Sequence, residues 1–394
     1  MNLSGMGANN TIISSKGICA NGGTVSANMT MHKYTYFIKY NSVTLNSAAV
    51  VTIEPGAVIR IEARRSINVN AGAKIIAEGT ASEPITFTST RPAPERGDWE
   101  RIQITSSNGS DFKHCIFEYG SNTVSAVYHG MLSVNNSKIS VMNCTFRHSK
   151  YTGILLHGTA SITGFTAFDN NTIIDCGEEQ TSAFPMYADG IMMLSVMGAN
   201  NTITSEKGIG IWSAEVSADL TLRKYLYTIH RGTSTTEIRV RNTTGSATLT
   251  ILPGAKLMFS QGGALCVREG GKLIAEGTSS DKIILTGTVQ DKGWWNGVIF
   301  DNNSALSGSV ISNCEISYGG RGTTNYNNGN ITCSGITAGK LTIRNCDITY
   351  SRAWGIWINS ATTVPTVENN NTFSNNGPSN NSNIGRYPAD EYIR

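Results

Sequence analysis

The chain is short of charge, of proline and of long apolar runs, and each shortage excludes something. Charged residues are 15% of the 394, and 31 Lys+Arg against 28 Asp+Glu leave a net charge of +3. The basic residues are scattered, and the pair Arg64-Arg65 reads as a solvated corner beside a strand. This excludes the clustered positive footprint of a nucleic-acid binder. No run approaches the roughly 18 apolar residues that a membrane span requires. Met1 is followed by polar NLSGMGANN, which has no apolar core of the kind a secretory signal carries. Stretches rich in Ala, Leu, Glu and Lys are missing and Pro is rare, at nine residues, so little helix is expected. None of the eight cysteines forms a CxxC pair, so zinc-site spacing is absent.

What is present is repetition. Met6-Gly-Ala-Asn-Asn-Thr-Ile12 returns 191 residues later as Met197-Gly-Ala-Asn-Asn-Thr-Ile203, and Lys33-Tyr-Thr-Tyr36 returns as Lys224-Tyr-Leu-Tyr227. Pro55-Gly56 returns as Pro253-Gly254, and Ala77-Glu-Gly-Thr80 as Ala275-Glu-Gly-Thr278. The change of offset puts an insertion of about seven residues around Thr233–Thr244. Trp99 then matches Trp295, Cys115 matches Cys314, Cys144 matches Cys346, and Asn170-Asn171-Thr172 matches Asn370-Asn371-Thr372. The chain therefore divides into tandem copies over residues 1–196 and 197–394, with length changes falling between strand-like cores as they do in solenoids.

Inside each copy, runs of three to six residues rich in Ile, Val, Phe and Thr end at Gly, Asn, Ser or Asp corners. Val58–Ile61, Lys74–Ile76, Ile85–Thr88, Ile102–Thr105, Cys115–Glu118 and Cys144–Phe146 are examples. Such runs are short strands, and their alternation sends one set of side chains to a core and the other to solvent. Asn tolerates the left-handed conformation of tight corners and can stack on Asn in the next turn. Cysteines recur at one strand phase, in His-Cys115-Ile-Phe, Asn-Cys144-Thr-Phe, Asn-Cys314-Glu-Ile and Asn-Cys346-Asp-Ile. This is the pattern of stacked, buried free thiols rather than disulfides.

These phrases resemble those of the right-handed parallel β-helix repeat proteins of bacteria, in the pectate-lyase-like superfamily. The resemblance is carried by Ile53-Glu-Pro-Gly-Ala57, Lys74-Ile-Ile-Ala-Glu-Gly-Thr80, Pro84-Ile-Thr-Phe-Thr88, Gly97-Asp-Trp99, Phe117-Glu-Tyr-Gly120 and Asn143-Cys-Thr-Phe146, and again by Gly271-Lys-Leu-Ile-Ala-Glu-Gly-Thr278 and Trp295-Asn-Gly-Val298. It implies an all-β fold, a right-handed parallel β-helix in two tandem copies. It also implies an extracellular or cell-surface location, the chain being a fragment or mature form without its export signal. The open ends of such a stack need covering, and Thr24–Tyr40 with its twin Val216–His230 are candidate capping or leading segments. Fold alone does not give activity, since lyases, hydrolases and adhesins share it.

A β-helix lyase needs a base and a means of neutralising a uronate, and a hydrolase needs paired carboxylates. Asp98, Glu100 and Arg101 surround Trp99, but their twins are Trp294, Asn296 and Gly297. Glu118 and Arg147 share one phase of adjacent strands, either as base and orienting acid or as an inter-coil ion pair, and their twins Ser317 and Thr349 cannot do acid–base work. His148 falls beside Tyr119 as a stacking partner. Arg91-Pro-Ala-Pro-Glu-Arg96 does not hold the lyase register. No calcium nonapeptide run occurs, so no cofactor is expected beyond an adventitious Ca²⁺ at Asn and Asp corners. Among the six tryptophans, Trp99, Trp294, Trp354 and Trp357 are the ligand-binding candidates, because exposed aromatic faces stack on sugar rings. Trp295 reads as core, and alternation sends Trp354 and Trp357 to opposite sides. The expectation is a non-catalytic secreted or surface protein, namely an adhesin, glycan-binding module or scaffold. A polysaccharide lyase or glycoside hydrolase with its site in one copy is the first alternative, and a self-associating, filament-forming subunit the second.

Overall fold

The computed structural model describes residues 7–10, 12, 17–122, 130–230, 237–301, 307–322, 328–359, 365–377 and 383–386, the Ser213 side chain excepted. The chain forms two compact units, residues 1–189 with 193–209, and residues 190–192 with 210–394. Among the described residues the one helical segment is a 3₁₀ turn at Ile191–Leu194, and no helix is long and apolar enough to cross a membrane.

The first unit is a coil with three faces. Face A runs through Ile18–Ala20, Thr35–Ile38, Val58–Ile61, Ile85–Ser89, Cys115–Glu118, Thr145–Ser149, Thr172–Cys176 and Thr202–Thr204, each strand parallel to the next. Face B runs from Gly23–Val25 to Met186–Gly190, and face C from Met29–Met31 to Gly164–Asp169. The chain visits A, B and C in turn, so every third strand pairs. One circuit takes as few as 18 residues, from Ile18 to Tyr36, or as many as 35, from Ile67 to Ile102. The longer circuits carry loops at the corners, such as residues 90–99 between faces A and B. This is a parallel β-helix.

Alternation within each strand builds the core. Tyr36, Ile59, Phe87, Phe117, Phe146 and Ile173 occupy one register row of face A and are fully enclosed. The rings of Phe87 and Phe117 stack at 4.9 Å, and those of Phe117 and Phe146 at 4.5 Å. Those distances are the spacing of neighbouring strands, so identical residues one coil apart are in van der Waals contact by construction. Tyr34–Tyr36 and the segment from Thr24 to Tyr40 do not cap this core. They form ordinary strands of it, with Tyr36 buried inside, because their period-2 apolar pattern is that of any other coil.

The second unit repeats the plan. Its face A is Leu226–Ile229, Lys256–Phe259, Ile283–Gly287, Cys314–Ser317, Asp347–Thr349 and Thr372–Ser374. Face B runs from Ile209–Val216 to Ile384–Arg386, and face C from Leu220–Leu222 to Thr366–Val367. Val216–His230 likewise forms strands, with Tyr227 in the core. The inserted stretch around Thr233–Thr244 begins outside the described residues and runs through the face B strand Glu237–Val240 into the corner that follows it. Met6 and Thr11 of the repeated phrases also lie outside them.

The corner between faces C and A holds a side-chain ladder. Cys115, Cys144, Asn171 and Asn201 stand at one register. Each of the last three accepts the backbone N–H of the ladder residue one coil before it: Cys115 N–H donates to Cys144 Sγ (3.4 Å), Cys144 N–H to Asn171 Oδ1 (2.9 Å), and Asn171 N–H to Asn201 Oδ1 (3.0 Å). Each also donates to a carbonyl of face C: Cys115 to Ala77, Cys144 to Phe112, Asn171 to Val141 and Asn201 to Phe168. In the second unit Cys314, Cys346 and Asn371 do the same toward Ala275, Ile311 and Ile343. All eight cysteines are free, and those of the repeated phrase are corner hydrogen-bonding groups as well as small apolar ones.

Candidate functional site

The outward row of face A in the first unit carries charged side chains. It runs Cys19, Phe37, Arg60, Thr88, Glu118, Arg147, Ile174 and Thr204, and at roughly 4.8 Å per strand it is about 34 Å long. The Glu118 carboxylate is occupied on both oxygens. Thr88 Oγ1 donates to Oε1 (2.8 Å), while Arg147 reaches Oε2 from Nε (2.8 Å) and Nη2 (2.6 Å).

The adjoining corner carries a second ladder of three residues in the left-handed conformation, Tyr119 (φ 62°), His148 (φ 54°) and Asp175 (φ 58°). Tyr119 and His148 stack at 5.1 Å, and His148 Nδ1 is hydrogen-bonded to Asp175 Oδ2 at 2.6 Å. Arg96, from the loop between faces A and B, pairs with the other Asp175 oxygen and approaches Glu179 at 3.4 Å. The corresponding corner of the second unit is Tyr318, Tyr350 and Asn375, with the tyrosines stacked at 5.1 Å and no charged group in the ladder.

At the other end of the row lies an open groove of about 500 Å³, lined by Gly17, Cys19, Phe37, Lys39, Arg60, Thr90, Arg91 and Pro92. Its charges are positive. Lys39 Nζ sits 5.5 Å from the centre of the Phe37 ring, Arg60 Nη1 donates to Ser89 O (3.0 Å), and Arg91 is held by Glu95 (2.7 Å) and Asp98 (3.2 Å). Each guanidinium carries five N–H donors, so these bonds orient the heads and leave donors toward the groove.

Residues 23–182 match the family described as pectate-lyase like beta helix domain. That stretch is a pectate-lyase-like β-helix domain. No curated protein and no solved structure gives a significant match to the chain.

The pectate-lyase-like domain contains most of the residues singled out from sequence, and it does not gather them. Asp98 is buried and organises its own loop, accepting the Glu95 N–H at 2.9 Å and pairing with Arg91. Arg101 lies just before the face B strand, with Nε donating to Gln103 Oε1 (3.0 Å). Burial lowers its pKa, with Glu100 opposing the shift. Glu100 is half-buried and bonds through its backbone to Arg65 and Ser121. Glu118 and Arg147 do come together, in the inter-coil ion pair. His148 stacks on Tyr119 as expected, but its bond to Asp175 was missed, because Asp175 is 27 residues away in a strand whose register the sequence does not print.

The tryptophans need correction. Trp99 is fully enclosed, with Nε1–H donating to Glu118 O at 2.8 Å, and its ring fills the space that Gly120 leaves open. A ligand cannot stack on it. Trp295 does the same toward Ser317 O at 2.7 Å. Beyond the matched stretch, Trp294 is half-buried and bonded to Thr288 Oγ1 (3.0 Å). Trp354 and Trp357 do not face opposite ways. Their rings stack at 5.9 Å, Trp357 is buried at 6% exposure, and the Trp354 ring lies over Gly385, where any side chain would collide with it. Alternation describes the backbone alone, and the ring of Trp354, the half-buried first residue of its strand, packs against Trp357 and Gly385. Among the described residues no three His, Cys, Asp or Glu side chains converge as a metal site requires.

Proposed function

We propose that this chain is a non-catalytic, exported β-helix that binds a polysaccharide or cell-surface glycan along the outside of face A in its first unit. The observation that carries the reading is the groove of Lys39, Arg60 and Arg91 beside Phe37 and Pro92. It supplies cationic donors for carboxylate or sulfate groups and apolar surface for sugar rings. The row that continues from it is long enough for several sugar units, and its one carboxylate, Glu118, is already bound on both oxygens. A general base needs a lone pair turned to the substrate, and Glu118 already spends most of its acceptor capacity on Thr88 at Oε1 and on Arg147 at Oε2. Calorimetric titration against uronate-rich, sulfated and neutral polysaccharides should give binding to the anionic ones, weakened about tenfold by Arg60→Ala or Lys39→Ala. Failure of every polysaccharide to bind would overturn the glycan reading.

One observation favours a second reading, a polysaccharide lyase or glycoside hydrolase with its site in the first unit. His148, oriented by Asp175 and flanked by Tyr119 and Arg96, has the form of a positioned base, and the second unit has no counterpart. Release of unsaturated or reducing ends, abolished by His148→Ala, would replace the non-catalytic reading with this one.

A further inference from the structure

We infer that the motif Gly7–Ile12 of one chain, exposed at its described residues Gly7–Asn10 and Ile12, docks on the last face A strand, Thr372–Ser374, of a second copy, so that chains stack head to tail. The first unit contains its own version of this contact. There Gly198-Ala-Asn-Asn201, the repeat of Gly7-Ala-Asn-Asn10, closes the corner ladder. Asn201 Oδ1 accepts both the backbone N–H and the side-chain amide of Asn171 (3.0 Å each), Thr202 N–H donates to Asn171 O (2.7 Å), and Gly198 N–H to Phe168 O (2.7 Å). Asn200 binds the Asp169 carboxylate, and Ile203 pairs with Ile173.

In the second unit the same ladder ends one rung short. Asn371 receives the Cys346 N–H at 3.0 Å as Asn171 receives that of Cys144. Among the described residues, however, nothing accepts the Asn371 N–H, and Thr372–Ser374 pairs on one side only. The missing rung has the chemistry of an Asn at the end of Gly-Ala-Asn-Asn, and the chain displays a second one. Asn10 Nδ2 donates to Gly7 O at 2.9 Å, the same local bond that Asn201 makes to Gly198 O at 3.2 Å. The motif is thus preformed, and Tyr34 Oη holds it through the carbonyls of Gly7, Ala8 and Asn10. Yet Gly7 to Asn10 are all exposed and Ile12 is 37% exposed, whereas the twin Asn201 is 8% exposed. An open edge of parallel strand at one end of the chain, and a preformed exposed turn that elsewhere supplies the next rung, are complementary ends for pairing between chains.

The test is molar mass by light scattering across a hundredfold concentration range. The chain should grow in mass with concentration, and Asn10→Ala with Ile12→Asp should raise the concentration for half-association at least tenfold while leaving the circular dichroism unchanged. A second variant fixes the geometry. The pair equivalent to Asn200 and Asp169 is Asn9 and Asn369, both exposed. Asn9→Cys with Asn369→Cys, in a Cys19→Ser background, should give a ladder of disulfide-linked oligomers on oxidation. A mass that stays monomeric at every concentration, a cross-link confined to the monomer band, or association unchanged by Asn10→Ala with Ile12→Asp would each overturn the inference. None of these readouts involves a polysaccharide, so their failure is separate from failure of the glycan reading.

Discussion

At the scale of single residues, the repeated cysteines and tryptophans are fixed by what their polar atoms must reach. A buried indole needs an acceptor for its N–H, and Trp99 and Trp295 find it in the carbonyl of the adjacent face A strand. A buried thiol at the C-to-A corner can both accept an N–H and donate to a carbonyl, which is why Cys and Asn share one ladder. Burial pushes Cys176, Cys266 and Cys333 up to about 12, and it raises Cys115, which also bonds Cys144. The thiolate is the reactive form, so these positions should be inert in the folded chain. Cys19 alone is exposed. Titration with an aromatic disulfide reagent should therefore give one fast-reacting thiol in the native state and eight after denaturation. Two or more fast thiols in the native state would mean that the corner ladder is not packed as described.

At the scale of strands and corners, the sequence showed which runs are strands, and the observed bounds follow the alternation closely, as in Val58–Ile61 and Ile102–Thr105. It also showed Glu118 beside Arg147, because both follow a ladder cysteine by three residues. What it hid were partners reached through register across loops of unequal length. His148 with Asp175, Arg96 with Asp175, and Lys282 with Asp347 are of this kind. No local pattern announces a contact between residues 65 apart. The last of these ties together coils of the second unit that flank the strand Cys314–Ser317 on either side. Burial pushes the Asp347 carboxyl up, but the Lys282 ammonium and the Thr372 hydroxyl outweigh it and hold the carboxyl below its ordinary value. A depressed carboxyl contributes stability that is present above the unfolded pKa, about 3.9, and lost as pH falls through the folded value. Both partners are about one-third exposed, so the pair is worth no more than about 1 kcal/mol. Asp347→Asn should lower the thermal midpoint by about 2–4 °C at neutral pH, with the gap to wild type closing below about pH 4. A gap that persists undiminished at pH 2.5 would show that the charge is not its source.

At the scale of the whole molecule, a coil gains its stability from the coils on either side, so stability is a sum of nearest-neighbour terms. Inner strands such as Ile85–Ser89 or Ile283–Gly287 are paired on both edges. The first coil, Ile18–Met31, and the last described coil, Thr366–Arg386, are paired on one edge among the described residues. Amide exchange follows local opening, and end coils need break only one interface to open. Hydrogen exchange at submicromolar concentration should therefore show the least protection in the strands of the first and last described coils, and the most in the strands from Ile85–Ser89 to Thr152–His157 and from Lys256–Phe259 to Leu341–Arg344. Head-to-tail docking would add a neighbour to one of these edges and not to the others. On raising the concentration, protection should climb at residues 371–374 and stay level at the strands Gly23–Val25 and Met29–Met31, whose open edges the Gly7–Ile12 motif does not supply. A uniform rise over both ends would point to unspecific edge pairing, and uniform protection at low concentration would contradict the nearest-neighbour account itself.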